Sequence, residues 1–219
     1  MMSLYSGTPG SGKSLHLANR LYWWISSGRP VICINFAVDL DKIRNGRKNP
    51  HVYFFDGETV KPSDLMDLGL EYAAEHGGKV KEDSFLLVWD ECQRQFNSRD
   101  WGHKGRAEWL KFFTLHRHFG FEIIMIAQYD RMLDRQVRAL FEYEVIHRKM
   151  SNFGWQGKII ATLCLGELFV AVRMWYPLHE RIGAEYFRKH KRYLQIYDTF
   201  ALLDSPAEAK EEEVGEVVL

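Results

Sequence analysis

Eight residues, Gly7-Thr8-Pro9-Gly10-Ser11-Gly12-Lys13-Ser14, constrain this 219-residue chain more than any other stretch. The pattern G-x-x-x-x-G-K-S lets successive backbone N–H groups curl around phosphate oxygens. Such a turn works between a strand and a helix, because the helix N-terminus adds the positive end of its dipole. Both flanks are present. Met2–Ser6 is a short apolar run, and Leu17, Ala18, Leu21, Trp24 and Ile25 share one helical face before the stop signals Gly28 and Pro30. Lys13 is placed to reach β- and γ-phosphates and the Ser14 hydroxyl to ligate Mg²⁺, so ATP and Mg²⁺ are the expected cofactors.

Residues 85–91, FLLVWDE, supply the second half of such a site. An apolar strand ending in an acid puts a carboxylate at the carboxyl edge of a sheet, where Asp90 would hold the metal directly or through water. Glu91 beside it is placed to orient and deprotonate an attacking water. That is hydrolysis chemistry. A kinase acting on a small molecule needs no base for water, and the plainer alternative for Glu91 is a strand-end acid. Asp90 lies 77 positions after Lys13, which leaves room for an extra strand–helix unit. The spacing suits a sheet in which another strand separates the phosphate-loop strand from the acidic one. Gln128 ends the apolar run 121–127, where a polar side chain can sense a γ-phosphate. Arg117, in Leu115-His116-Arg117-His118, is a candidate to reach a neighbouring subunit's γ-phosphate and stabilise transition-state charge. Arg131, Arg135 and Arg138 are its rivals. His116 and His118 stand at i and i+2, on different faces of a helix, and do not make a metal pair.

Further apolar runs at 31–36 (VICINF), 51–55, 84–89 and 121–127 alternate with helical stretches at 62–76 and 106–119. Strands that are apolar throughout and alternate with helices predict an α/β fold with a mostly parallel sheet covered on both faces. Past residue 143 the pattern changes. Residues 143–150 read as a strand, and 158–165 and 168–175 flank Gly166-Glu167 as a two-residue hairpin, adding antiparallel strands at one edge. One domain, 1–203, is expected, with a core of about 1–142. A hairpin and a basic helical extension then fill about 143–203.

Lys plus Arg and Asp plus Glu both number 29, but residues 204–219 hold six acids and one base. The body is therefore mildly basic, at +5, and the acidic tail reads as disordered. Such a body lacks the strongly basic footprint of a dedicated DNA binder. Cys33, Cys92 and Cys164 have no metal-type spacing and read as thiols of a reducing compartment. A signal peptide has no room before Gly7, and the longest apolar stretch, 159–172, is 14 residues, short of the roughly 20 a spanning helix needs. Residues 92–101 mix Arg94 and Arg99 with Phe96 and Trp101, a composition that grips phosphates and stacks on bases unless the aromatics pack inward. Arg188–Arg192, flanked by Tyr186, Phe187 and Tyr193, is a candidate contact for anionic lipid headgroups or nucleic acid.

Taken in order, these motifs resemble the ATPase domain of the zonula occludens toxin (Zot) family, which includes filamentous-phage morphogenesis proteins. The likeness rests on Gly7–Ser14, LLVWDECQ at 86–93 followed by Phe96 and Arg99, residues 115–118 ahead of an apolar strand, and IAQYD at 126–130 with Arg138 after it. It covers roughly residues 2–200. The resemblance implies a P-loop NTPase akin to the HerA/FtsK class of hexameric motors. It also implies an ATPase at the cytoplasmic face of the inner membrane that drives assembly and export of phage particles. A homo-oligomeric ring and a phage coat protein or phage DNA complex are the implied partners, and Arg117 matches the arginine such motors place before the sensor strand. Family members continue through a transmembrane helix, so the chain is expected to be the cytosolic part or a short variant with a membrane-anchored partner. A DNA-translocating or packaging motor is the alternative reading.

Overall fold

The computed structural model describes residues 1–99, 105–155, 159 and 167–197. Eight strands form one sheet: β1 (Met2–Ser6), β2 (Val31–Ile34), β3 (Val52–Phe55), β4 (Phe85–Trp89), β5 (Phe121–Ile126), β6 (Tyr143–Lys149), β7 (Leu168–Trp175) and β8 (Glu180–Arg188). Their spatial order is β3-β2-β4-β5-β1-β6-β7-β8. The first six are mutually parallel, and β7 and β8 add antiparallel. The α-helices whose bounds fall wholly within the described residues are α1 (Lys13–Ser26), α2 (Pro62–Glu75), α3 (Arg106–Leu115), α4 (Arg135–Arg138) and α5 (Lys191–Leu194).

The central strands are apolar on both faces because both are covered. In β4, Leu86 and Val88 join the core under α1 with Leu17, Leu21 and Ile25. Phe85, Leu87 and Trp89 join a second core under α2 and α3 with Leu65, Phe112 and Phe113. Alternation of side chains along each strand makes one sequence serve both layers. One charged pair crosses the α1 layer. Glu122 of β5 is 4% exposed and is bonded by the Arg20 guanidinium.

Two expectations for the C-terminal third change. The strand at Leu168–Trp175 exists, but its partners are β6 on one side and β8 on the other, with the turn at 176–179. The expected partner, 158–165, and the Gly166 turn lie outside the described residues, apart from helical Ile159. The expected basic helix is instead strand β8 followed by the single turn α5. As the edge strand it buries little: Phe187 is buried and the exposed Glu185 lies 3.5 Å from His16 of α1, whereas Ile182 and Tyr186 face outward. Helical spacing would split Phe187 from Glu185.

Register fixes the rest. Ile34 and Trp89 are paired, as are Trp89 and Met125, and Tyr5 and Ile126. The strands therefore release their following loops at one carboxyl edge.

Because Glu122 is buried, removing its partner leaves an uncompensated carboxylate. Arg20→Met should lower stability by about 3 kcal/mol, and Arg20→Met with Glu122→Leu should recover most of that. Urea unfolding of the two variants and the parent measures both.

Candidate nucleotide site

The phosphate loop leaves β1 at Ser6 and enters α1 at Lys13. Gly7, Gly10 and Gly12 all have positive φ, at 141°, 74° and 96°, a conformation glycine takes without steric cost. At Gly7 and Gly12 space decides as well. A Cβ on Gly7 would lie 2.6 Å from the His147 carbonyl oxygen, and one on Gly12 would lie 2.7 Å from the Phe169 ring. The Gly7 N–H donates to the Gln128 carbonyl at 3.1 Å, tying the loop to the end of β5. The Lys13 ammonium donates to the Gly7 and Thr8 carbonyls at 2.7 and 3.2 Å. Thr8, Pro9 and Gly10 are exposed, and Ser11 is buried.

Asp90 and Glu91 follow β4. Glu91 has φ 48°, which turns its side chain away from the strand direction, and its N–H donates to Asp90 Oδ1 at 2.8 Å. A non-glycine residue held in that region is stored strain of the kind found at functional sites. Burial pushes the Asp90 carboxyl up to about 6, with the Glu91 backbone bond opposing the shift. The half-exposed Glu91 carboxylate lies 3.8 Å from Arg94, which also bonds Glu58 at 3.1 Å. A cavity of about 240 Å³ brings Lys13, Ser14, Asp90, Glu91 and Gln128 together. A hydroxyl and a partly buried carboxylate are hard oxygen donors facing one space, and this set fits Mg²⁺.

Two polar side chains of that cavity, Asn35 and Gln93, carried no expected role. Asn35 follows β2 with φ 55°; its side chain reaches the Asp90 carbonyl at 3.5 Å and accepts from the Gly57 N–H at 2.9 Å. Gln93 lines the same space, and its buried Oε1 has no hydrogen-bond partner among the described residues. The signal for Asn35 was a polar residue interrupting the apolar run 31–36.

Arg117 is placed elsewhere. It precedes β5, pairs with Glu142 ahead of β6, and so sits at the amino edge of the sheet. A six-residue strand separates the two edges by about 20 Å, so Arg117 does not reach the phosphate loop of its own chain. Of its rivals, Arg138 lies 3.8 Å from Asp130, on the loop leaving the carboxyl edge. Phe96 does not stack outward: it is buried against Trp89, Trp109 and Phe113. Trp101 lies outside the described residues.

A histidine pair underlies the loop. His147 Nδ1 donates to the Ser6 carbonyl at 3.2 Å, which leaves its Nε2 to accept from His16 Nδ1 at 2.8 Å. The rings lie among Tyr5 and Phe187, with Glu185 3.5 Å from the outer nitrogen of His16.

Strand β5 between β1 and β4, a phosphate loop after β1 and a paired acid after β4 define a P-loop NTPase fold with antiparallel strands at one edge. The family described as Zonular occludens toxin (Zot) matches residues 1–201, and the chain belongs to it. The Gene 1 protein of Enterobacteria phage M13 is 32% identical over 161 residues, 69% of this chain and 43% of that protein. The Gene 1 protein of Enterobacteria phage I2-2 is 28% identical over 177 residues, 76% of this chain and 46% of that one. The chain thus spans about half the length of these curated relatives. In fold it is similar to the N-terminal domain of zonular occludens toxin from Neisseria meningitidis, with TM-score 0.53, 17% identity and coverage of 90% and 98% of the two chains. B204, the DNA-packaging ATPase from Sulfolobus turreted icosahedral virus, gives 0.52 at 13% identity, covering 86% and 98%. Among the described residues no helix is long and apolar enough to cross a membrane.

Burial, then the neighbouring His16, drives the His147 pKa down to about 3. Protonation would set two N–H groups against each other. The unfolded chain binds that proton near pH 6.5, so the pair's contribution is full above about 6.5 and is lost progressively as pH falls toward 3. Lys13, Arg20 and Glu185 face the same cluster, and Asp90 titrates in that range too. The difference between variants isolates the pair: stability should drop more between pH 7 and pH 5 in the parent than in His147→Gln, as read by urea midpoints.

Proposed function

We propose that this chain is the motor domain that hydrolyses ATP to power assembly and export of filamentous phage particles at the cytoplasmic face of the host inner membrane. The observation that carries the reading is the meeting of Lys13, Ser14, Asp90, Glu91 and Gln128 around one cavity in a chain of this family. The Gene 1 relatives from filamentous phages supply the biological context.

The backbone N–H groups of Gly10 to Lys13 would wrap the triphosphate, and Lys13 would turn from its loop carbonyls to the β- and γ-phosphates. Ser14 and Asp90 would hold Mg²⁺, which neutralises developing charge on the transferred phosphoryl group. Glu91 takes a proton from the attacking water, and Gln128 positions that water or reads the γ-phosphate. The strained backbone at Glu91 aims its carboxylate, and its link to Arg94 keeps it at the rim until water is in place. Residues 1–203 form the working unit. Its partners are further copies in a ring, a coat protein or phage DNA complex, and a membrane-anchored segment or protein. The Arg188–Arg192 stretch would meet anionic lipid.

Lys13→Ala should abolish tight ATP binding, whereas Glu91→Gln should keep ATP and slow hydrolysis by about 10²–10⁴-fold. Phosphate release and equilibrium nucleotide binding check the two, and a wild-type rate in Glu91→Gln removes the general-base role. Release should rise with anionic membranes and coat protein. Stimulation by single-stranded DNA alone, with salt-dependent binding, would favour a DNA-translocating motor instead.

Because Arg117 sits at the far edge of its own sheet, a finger role requires a neighbouring copy. Arg117→Ala should leave ATP affinity nearly intact and remove the rise of specific activity with protein concentration. Mixing it with Lys13→Ala should restore part of that activity, since each variant keeps what the other lacks. A mixture no more active than either variant alone assigns the finger to another residue.

A further inference from the structure

Among the described residues, three cavities border the phosphate loop. The one of about 240 Å³ holds the acids and Gln128 and takes the γ-phosphate in the reading above. A second, of about 440 Å³, opens toward β6 and is lined by Asp130 and Glu144. A third, of about 330 Å³, lies against Gly12, Ser14 and Leu15, with Lys149, Lys189 and Tyr197 on its far wall. Among the described residues, the last two offer a bound nucleotide's nucleoside a way off the loop.

Charge separates them. Burial, assisted by Asp130, pushes the Glu144 carboxyl upward against the bond it accepts from the Ser6 hydroxyl. An α-phosphate entering there meets two carboxylates, Asp130 and Glu144, against one cation, Arg148. In the third cavity, Lys149 and Lys189 both bind Glu167, the latter at 3.2 Å, and hold its carboxyl below the usual carboxylate range. Two ammonium groups share one carboxylate, so this wall carries net positive charge. Each ammonium has three donors, and most remain for phosphate or ribose oxygens.

Tyr197 supplies the apolar contact. It lines both this cavity and the catalytic one, beside Lys13 and Ser14. Its position is built by specific packing. Ile196 is fully buried, its carbonyl accepts from the Asp39 N–H at 2.8 Å, and Tyr193 packs edge-on against Tyr22 of α1. Phe36 stacks near-parallel to the Tyr197 ring with centroids 5.8 Å apart. The segment after β8 is thus returned across α1 to the rim of the phosphate loop.

We infer that the groove between the phosphate loop and residues 149, 167, 189 and 197 receives the nucleoside end of the nucleotide, with Tyr197 stacking on the base and Lys149 and Lys189 flanking the α-phosphate and ribose. The inference rests on the nucleotide-binding reading of the loop. Stacking does not read hydrogen-bond patterns, so the groove accepts ATP and GTP with similar affinity.

Binding of ATP and of inorganic tripolyphosphate, which has no nucleoside, tests this in the full chain by calorimetry. Tyr197→Ala should weaken ATP about tenfold, equivalent to about 1.4 kcal/mol, and leave tripolyphosphate unchanged. Tyr197→Phe should bind ATP as the parent does. An unchanged ATP affinity in Tyr197→Ala, or an equal loss for both ligands, overturns the groove. If the parent binds neither ligand, the phosphate-loop reading fails and takes the groove with it.

Discussion

The structure depends on how closely the phosphate loop is pressed into its surroundings. Gly7 runs against the backbone of β6 and Gly12 against the Phe169 ring of β7. Neither contact tolerates a Cβ, so the glycines serve close approach as well as backbone conformation. The antiparallel edge of the sheet is therefore a wall of the loop. It also brings His147 under Ser6, and through His16 it ties β6 to the helix that the loop begins. The curl that presents N–H groups to phosphate is held from below by strands about 140 residues later in the chain.

Strand order does the remaining positioning. With β5 between β1 and β4, the Gln128 backbone bonds directly to Gly7 while its side chain shares a cavity with Asp90 and Glu91. All three arrive at the carboxyl edge, where ligands of open α/β sheets bind. Two apolar layers keep that edge rigid. The aromatic cluster of Trp89, Phe96, Trp109 and Phe113 anchors the loop that follows the acids. Phe96 therefore fixes the Glu91 turn and is not free to stack on a base. The opposite edge of the sheet carries Arg117 and Glu142, so a chemistry that joins the two edges needs a second copy of the chain.

Beyond β6 the chain does something the core does not require. Strands β7 and β8 extend the sheet, and the segment that follows doubles back over α1 to place Tyr197 by the loop. Its basic residues are divided among separate tasks. Lys189 joins Lys149 on Glu167, and Arg192 lies over the Tyr22 ring. A run of charge that looks uniform along the chain becomes, in three dimensions, part cavity wall and part surface.

The phosphate loop, the acidic strand end and the alternation of apolar strands with helices were legible in the sequence, because each is a local pattern whose chemistry needs those residue types at that spacing. So was the intervening strand, from the distance between Lys13 and Asp90. The partners of β7 were not. Its apolar run suits any antiparallel neighbour, and only packing selected β6 and β8 for it. The strand at Glu180–Arg188 was hidden by its charges, since an edge strand exposed on one face buries too few residues to show a clear alternation. Asn35 and Tyr197 lie far apart in the chain and carry no motif, and Gln93 ends the run LLVWDECQ with no role of its own in that pattern. Their meeting at the loop follows from strand register and from the buried anchor at Ile196, which are long-range contacts that no local pattern encodes.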